Sequence, residues 1–440
     1  MVKLYKNFKR KLDKDFKNLL SKSIATTVVK LSGKLSGLIL SVFLARTLGA
    51  SLLGTINLSN QIINVFLVII MFGMRVLIVK NVAISNLNKD FKKLKNIIKT
   101  SYFFNGGLGF IISLLLLIFS NYIASNLFDD IYLNLVITIM CIAIVPQIFT
   151  RIHSYALLGL NKVWQSNLAE DTLSALLTLL ILLLFMSMQF DISVIAVAIS
   201  YTISRIVLSV LMFFYWKKEV PKYTFKANFD SKIIKQTFPF FIISLVGILQ
   251  ARFDVFVIGY FLDSKEIGLY TVAITLAMIP SFFLQILETA SSPKIVELHN
   301  SKKIIEMQKL VQKVSLMLFG IGLLAFMFFV AFGKQLLSLW GGEFSSANIV
   351  LIVISFGQLF NMLSGPSALV LVMTGLENLR KNLAIITLCL NIIGSIILIK
   401  YYGLLGAAMS STLIAFVLNV ALIFYVKLKL NFWPIKFYKS

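Results

Sequence analysis

The sequence predicts an all-α integral membrane protein with twelve transmembrane helices, arranged as two six-helix lobes that are related by a parallel repeat. Three observations lead to this prediction: the apolar composition, a series of long apolar runs, and short motifs that recur in both halves. Of the 440 residues, 58% are hydrophobic and 14% are charged, whereas a soluble domain has about 45–50% apolar and about 25% charged residues. The composition excludes a cytosolic enzyme, a secreted disulfide scaffold and a disordered chain.

Each predicted span is an apolar run long enough for a helix to cross the hydrocarbon core, which takes about 20 residues. We expect helices because the runs are continuously apolar, whereas the strands of a membrane barrel alternate and have only about 10 residues. The first half has spans at 23–46, 54–79, 101–120, 131–158, 169–188 and 192–216. The second half has spans at 237–262, 268–293, 310–338, 348–374, 382–400 and 404–428.

The polar segments between these runs define the domain organisation. The longest break, 217–236, is predicted to be a cytoplasmic linker between an amino-terminal lobe at 23–216 and a carboxyl-terminal lobe at 237–428. A basic cytoplasmic segment at 1–22 precedes the first lobe and has no compact apolar core, so no cleavable signal is expected. A cytoplasmic tail at 429–440 follows the second lobe.

The positions of the basic residues predict the orientation. Of the Lys and Arg residues outside the predicted spans or at their ends, 32 fall on one side of the alternating map and four on the other. Because basic loops stay in the cytoplasm, both termini are predicted to be cytoplasmic. The net charge of +24 is therefore a signal of topology, and attraction to anionic lipids is its secondary consequence. Nucleic acid is not an expected partner.

Short motifs recur between the two halves at nearly constant offsets of 214, 216 and 211 residues. Each match alone is weak, but three with equal helix orientation favour parallel repeats of the kind found in two-lobed transporters. The matching segments of the first and second halves are 48–54 and 262–268, 159–161 and 375–377, and 195–197 and 406–408.

The first of these motifs carries a family resemblance. Leu-Ala-Arg-Thr-Leu-Gly at 44–49, followed by Gly54, resembles the turn between spans 1 and 2 of lipid-linked oligosaccharide flippases. These belong to the polysaccharide-transporter branch of the superfamily that includes multidrug and toxic compound extrusion exporters. The same pattern fits Asp254 followed by 267–270, Pro280, Pro293 and the run 403–408. Flippases of the peptidoglycan precursor are similar but have two further helices. No further helices are expected here after residue 430, so the resemblance favours another polyprenyl-linked glycan.

The resemblance implies a flippase that moves a polyprenyl-diphosphate-linked oligosaccharide from the cytoplasmic to the outer leaflet by alternating access. Such a protein serves the synthesis of cell-surface polysaccharides such as O-antigen, in the bacterial cytoplasmic (inner) membrane. Its expected partners are the lipid-linked glycan, membrane lipids and other polysaccharide-assembly proteins. No cofactor is expected, and a coupling ion (H+ or Na+), the membrane potential or removal of product supplies the energy.

Basic residues at membrane depth are the main candidates for substrate binding, because an embedded charge costs at least ~2.5–3.5 kcal/mol. Lys34 lies 11 residues into span 1 and Arg205 lies 13 residues from the outer end of span 6, depths of about 16 and 20 Å. Buried structural contacts are the alternative for both. Lys30 is one turn from Lys34, with snorkelling to the cytoplasm as its alternative. Arg151 follows a predicted kink at Pro146, with interfacial anchoring as its alternative.

These cations give the amino-terminal lobe a positive interior without matching carboxylates at the midplane. Unpaired buried cations are expensive, so water or an anionic ligand must accommodate them. A diphosphate suits them because guanidinium and ammonium groups bind phosphate oxygens strongly.

The carboxyl-terminal lobe has fewer embedded charges. Arg252 in span 7 is also a candidate for substrate binding. It lies roughly 200° around the helix from Asp254, so the two side chains cannot both face one partner. Asp254 is the leading candidate for ion coupling, with a structural salt bridge as its alternative. Glu288 lies near the cytoplasmic end of span 8, where a gate or interfacial role is expected.

Two other classes of protein fit the sequence less well. An ion-coupled multidrug or cation exporter of the same fold needs midplane carboxylates in the first lobe, which are missing. A membrane glycan polymerase or ligase needs a long outer loop, and the outer turns are short. No nucleotide-binding Gly-x4-Gly-Lys-Ser/Thr motif is present, and Cys141 and Cys389 lie in apolar runs. We therefore expect no catalytic residues and no metal site.

Overall fold

The computed structural model describes residues 14–219 and 228–435, and every regular element in these two ranges is helical. The helices of the first range are α1 (Lys14–Met71), α2 (Met74–Leu87), α3 (Phe91–Tyr122), α4 (Leu133–Cys141), α5 (Ile144–Gly159), α6 (Val163–Asn167), α7 (Leu173–Ser187) and α8 (Val194–Glu219). Those of the second are α9 (Ser231–Phe261), α10 (Ser264–Ala277), α11 (Ser281–Asn300), α12 (Ile304–Leu337), α13 (Asn348–Ser364), α14 (Ser367–Met373) and α15 (Glu377–Leu430).

The helix lengths suit a membrane protein. In the described ranges, seven helices are long and apolar enough to cross a bilayer, and nine if two bent pairs each count as one span. Two of the seven have 46 and 54 residues, about twice the length that a bilayer requires. Each of these long helices contains a glycine with non-helical backbone angles, Gly49 in α1 and Gly403 in α15. The two glycines fall where the sequence predicts the turns between spans 1 and 2 and between spans 11 and 12.

Several predicted spans are interrupted in the structure: span 4 between α4 and α5, span 8 between α10 and α11, span 10 between α13 and α14, and span 2 between α1 and α2. Span 2 was expected to run continuously over 54–79, but α1 ends at Met71 and α2 begins at Met74. Phe72 and Gly73 have positive φ angles of 45° and 73°. A Cβ on Gly73 would lie within 3.0 Å of backbone atoms of the segment 237–241, so this break lets α9 approach closely. The contact depends on a distant segment, which is why hydropathy did not reveal it.

The chain packs into two units. Unit 1 comprises the residues up to Ser41, Phe66–Ile118 and Ile137–Phe241, and its core is formed where α5 packs against α2 and α8. Unit 2 comprises Val42–Val65, Phe119–Val136 and the residues from Ile242 onward, and its core is formed where α13 packs against α12 and α15. Unit 2 thus contains the ends of spans 1 to 4 that are predicted to lie outside. The predicted lobe boundaries stay predictions, and parts of the segments 1–22, 217–236 and 429–440 lie outside the described residues.

The end of the described chain is anchored in unit 2. Phe432 is 2% exposed and packs in an apolar cluster with Met307 and Val311 of α12. Gln312 Nε2 donates a hydrogen bond of 3.0 Å to the carbonyl of Trp433. These contacts fix the segment that follows α15.

We expect Phe432→Ala to lower the free energy of unfolding by about 3–5 kcal/mol, because it leaves a cavity in a packed cluster. Thermal unfolding of the detergent-purified protein measures this effect as a lower melting temperature. Leu428→Ala is the matched control, since Leu428 is 69% exposed. An equal shift for both variants would contradict the anchoring role.

Candidate functional site

The embedded basic residues of the first half all belong to unit 1. Lys30 and Lys34 lie on α1, Arg75 on α2, Arg151 on α5 and Arg205 on α8. The side chains of Lys30 and Lys34 are exposed, whereas those of Arg151 and Arg205 are half-buried. Unit 1 therefore contains four of the five predicted substrate-binding residues.

Arg205 is held by uncharged acceptors. Its Nη1 donates to Thr178 Oγ1 at 3.3 Å, to Ser204 Oγ at 3.0 Å and to the Tyr201 carbonyl at 3.3 Å. Among the side chains that the structure describes, Arg205 is not a member of the ion pairs, which are Lys162–Glu219, Lys294–Glu297 and Lys303–Glu306. The three bonds use one nitrogen of a guanidinium that has five N–H donors. The guanidinium also lies over the Tyr201 ring, with Cζ 2.9 Å from the ring centroid.

A second cation lies near the first. Arg151 is close enough to Arg205 for the two charges to repel each other. The structure thus brings together two residues that are 54 positions apart in the sequence.

A hydrogen bond relates the level of Lys34 to that of Arg205. Thr172 Oγ1 donates to the Val29 carbonyl at 3.0 Å, which places the start of α7 beside α1. In the predicted topology both helices belong to odd-numbered spans, which run in the same direction. Lys34 is five residues beyond Val29, and Thr178 is six residues beyond Thr172. At a rise of 1.5 Å per residue, Lys34 and the acceptor of Arg205 lie at about the same depth.

Asp254 lies in a buried polar network of unit 2. It is 6% exposed; Oδ1 accepts from the Val255 N–H at 2.9 Å, and Oδ2 accepts from the Tyr270 hydroxyl. The Tyr270 hydroxyl also contacts Ser411 Oγ at 3.1 Å. Arg252 is exposed on a different face of α9, as the spacing predicts. In the described residues Asp254 is held by hydroxyl and amide donors, and the charge of Arg252 also acts on it; the coupling role and its salt-bridge alternative both stay predictions.

Glu288 is half-buried on α11, and Arg380 at the start of α15 is its electrostatic partner. Arg380 lies in the predicted cytoplasmic connection between spans 10 and 11. Its relation to Glu288 depends on the packing of two helices that are distant in sequence, and no local pattern marks it.

A further site lies at the predicted outer ends of the helices, formed by the repeated motifs at 48–54 and 262–268, although the sequence alone did not indicate a site there. A Cβ on Gly54 would lie within 3.0 Å of the Ser264 carbonyl, and one on Gly268 within 3.0 Å of the Ala50 carbonyl. We call these two approaches the glycine contact. It joins α1 and α10, and only glycine permits backbones to come this close.

Polar bonds surround the glycine contact. Asn57 Nδ2 donates to Thr271 Oγ1 at 2.7 Å. Asp130 Oδ2 accepts from Thr55 Oγ1 at 2.6 Å and also from the Ser264 hydroxyl. Glu343 Oε1 accepts from the Ala50 N–H at 2.7 Å. Within unit 2, two carboxylates therefore tie the predicted outer end of α1 to segments from the second half of the chain.

Two family models and two curated relatives match parts of this chain. The family model described as "Polysaccharide biosynthesis protein" matches residues 19–299, and the model described as "MatE" matches residues 239–397. The capsular polysaccharide biosynthesis protein CapF of Staphylococcus aureus is 28% identical over 212 residues, which cover 47% of this chain and 54% of CapF. The probable low-salt glycan biosynthesis flippase Agl15 of Haloferax volcanii is 25% identical over 183 residues, which cover 41% of this chain and 38% of Agl15. The chain thus spans about half or less of the length of these relatives.

Solved structures share the fold. A multidrug resistance MATE family transporter in an inward-facing conformation superposes with a TM-score of 0.75 at 14% identity, covering 92% of this chain and 98% of that one. The lipid II flippase MurJ, in an inward closed conformation, superposes with a TM-score of 0.69 at 18% identity, covering 93% and 87%. These similarities confirm the prediction of an all-helical, multi-span membrane protein. The number of spans, the orientation of the termini and the repeat stay predictions.

Proposed function

The chain belongs to the polysaccharide biosynthesis protein family, and from this premise we propose that it is a flippase for a polyprenyl-diphosphate-linked oligosaccharide. The family resemblance that the motifs indicated is confirmed by this match. We propose that the glycan lipid moves from the cytoplasmic to the outer leaflet of the bacterial cytoplasmic membrane by alternating access. The observation that carries the proposal is the half-buried guanidinium of Arg205, which has uncharged protein acceptors and Arg151 close by.

The basic residues Lys34, Arg151 and Arg205 of unit 1 suit a diphosphate better than a cationic drug. Guanidinium groups bind phosphate oxygens through charge-assisted hydrogen bonds that are about twice as strong as neutral ones. Lys34, at about the same depth as the acceptor of Arg205, adds a third positive charge at this level. A cationic substrate at the same place would meet repulsion, which argues against the exporter alternative despite the shared fold.

Two features of unit 2 support a moving transporter. The glycine contact and its polar bonds close α1 against α10 at the predicted outer end, and every one of these bonds is non-covalent and reversible. Asp254 is a buried ionisable group, and such groups in membrane segments mark ion pathways. We propose that the glycine contact opens when the cargo leaves and that Asp254 takes up the coupling ion.

The test is export of a defined glycan in a strain that lacks its own flippase. We expect the wild type to restore export, and Arg205→Ala and Lys34→Ala to lower it at least about tenfold at equal protein levels, because each loses a charge-assisted bond to phosphate. Arg205→Lys keeps the positive charge but lacks the planar fork of the guanidinium. Its export is expected to lie between that of the wild type and that of Arg205→Ala. Export is measured as surface glycan against membrane protein.

Lys334→Ala is the control for loss of a positive charge, since Lys334 is exposed in the last turn of α12, at the predicted outer end of its span. It is expected to export normally. Normal export by both Arg205→Ala and Lys34→Ala would overturn the diphosphate site, and export of cationic dyes instead of glycan would favour the exporter.

A further inference from the structure

A groove on α3 has a cation at one end and an apolar floor. It encloses 540 Å³ and is lined by Lys99, Phe103, Phe104, Gly107 and Ile111 of α3, together with Phe229 from the segment before α9. Lys99, Phe103, Gly107 and Ile111 are each four residues apart and therefore follow one face of the helix. Nothing lies within 4 Å of a Cβ built on Gly107, so the middle of the groove is open.

Two hydrogen bonds hold the second wall of the groove in place. The Asn228 N–H donates to Asn96 Oδ1 at 2.7 Å, and the Asp230 N–H donates to Thr100 Oγ1 at 2.9 Å. Both acceptors lie on α3, so Phe229 is fixed beside that helix although its side chain is 51% exposed. An exposed aromatic side chain that is fixed by its backbone makes a preformed wall rather than a flexible cover.

The groove lies on the side of α3 that points away from the core of unit 1. Asn105, which is two residues from Phe103 and so roughly 200° around the helix, is fully buried and donates to the Ile70 carbonyl at 2.7 Å. Phe103 and Ile111 are 65% and 55% exposed. The groove is therefore separate from the packing face of α3.

The chemistry of the lining matches an anionic lipid. Lys99 Nζ lies 5.7 Å from the centre of the Phe103 ring, at the predicted cytoplasmic end of the groove. Ile111 is 12 residues further along, or about 18 Å deeper into the bilayer. The first turns of α3 also contain Lys92, Lys93 and Lys95. A hydrocarbon chain fits the apolar floor, and a phosphate fits the basic end.

We propose that this groove binds an anionic glycerophospholipid of the cytoplasmic leaflet, with its phosphate at Lys99 and one acyl chain along Phe103, Gly107 and Ile111. The bound lipid replaces solvent against Phe229 and secures the segment before α9 to α3. This site is additional to the proposed cargo site at Arg205 and holds whether or not the chain is a flippase.

Native mass spectrometry of the purified full-length protein tests the site with added phosphatidylglycerol, phosphatidylcholine or polyprenyl phosphate. We expect one phosphatidylglycerol to be retained at least about fivefold more than phosphatidylcholine, the factor that one basic residue at a membrane surface supplies. Lys99→Gln is expected to abolish this preference. Gly107→Leu is expected to remove the bound lipid altogether, because the new side chain fills the groove without clashing.

Two controls separate this site from general effects of charge and side-chain size. Lys309→Gln removes an exposed charge on α12, outside the basic end of the groove, and Gly320→Leu adds a side chain at a helical glycine with open space around it. Both are expected to retain phosphatidylglycerol as the wild type does. Equal retention by Gly107→Leu, equal retention of the two phospholipids, or tighter retention of polyprenyl phosphate than of phosphatidylglycerol would overturn the proposal.

Discussion

Gly268→Leu is expected to abolish glycan export while the protein still inserts and folds. A side chain at position 268 would overlap the Ala50 carbonyl, which is a backbone atom that cannot rotate away. The glycine contact therefore cannot form, and any step of the cycle that requires it is lost. Gly54→Leu is expected to have the same effect through the Ser264 carbonyl. Complementation of a flippase-deficient strain measures export, with membrane levels as the reference.

Gly320→Leu is the matched control, because this helical glycine of unit 2 has nothing within 4 Å of its built Cβ. A second measurement separates loss of closure from misfolding. Cysteine placed at Thr271, in a Cys389→Ser background because Cys389 is exposed, is expected to react faster with an impermeant maleimide when Gly268 is replaced. Normal export by Gly268→Leu would show that the cycle does not use the glycine contact.

The glycine contact has an internal symmetry that bears on the predicted repeat. Gly54 approaches Ser264 and Gly268 approaches Ala50, and Gly54 and Gly268, like Ala50 and Ser264, are 214 positions apart. Asn57 and Thr271, which bond to each other, are also 214 positions apart. Reciprocal contacts of this kind arise when two copies of a motif meet across a two-fold axis. This geometry supports the predicted repeat of the two halves, at the motif with the offset of 214.

Hydropathy was sufficient to predict an all-helical membrane protein with many spans, because the bilayer requires long apolar runs whatever the tertiary packing. The turns at Gly49 and Gly403 coincide with polar or glycine-containing breaks that the sequence shows. The break at Phe72 and Gly73 was not predictable, since it follows from the approach of the segment 237–241. Phe72 is as hydrophobic at the break as it would be inside a helix, so the apolar run shows no interruption there.

The candidate site was predictable in its charges but not in its partners. Counting residues from the span ends predicts that Lys34 and Arg205 lie deep in the membrane, and the bond from Thr172 to Val29 is consistent with a common level for Lys34 and Thr178. The acceptors Thr178 and Ser204 could not be identified, because hydroxyl residues are common in apolar helices and no spacing relates α7 to α8. Asp130 was missed for the same reason, since its partners Thr55 and Ser264 come from different parts of the chain.

Asp254→Asn is expected to abolish the part of export that an ion gradient drives. Asparagine has nearly the same shape and its Oδ1 can still accept a hydrogen bond from Tyr270 or Val255, so the network stays in place. It cannot bind or release a proton, and it offers no negative charge to Na+. The measurement is movement of a labelled polyprenyl-diphosphate glycan in proteoliposomes with an imposed H+ or Na+ gradient. We expect the wild type to respond to one gradient and the variant to remain at the rate seen without a gradient.

Ser411→Ala is the matched control for this network, because it removes the 3.1 Å contact to the Tyr270 hydroxyl without touching the carboxyl group. It is expected to keep the response to the gradient. Tyr270→Phe removes a donor to Asp254 but leaves an ionisable group, so we expect an altered ion dependence rather than its loss. If Asp254→Asn responds to the driving gradient as strongly as the wild type does, the buried carboxyl is a structural element and the coupling ion binds elsewhere. If only Asp254→Asn loses the response, the charge of this side chain, rather than its hydrogen bonds, couples the ion to the glycan.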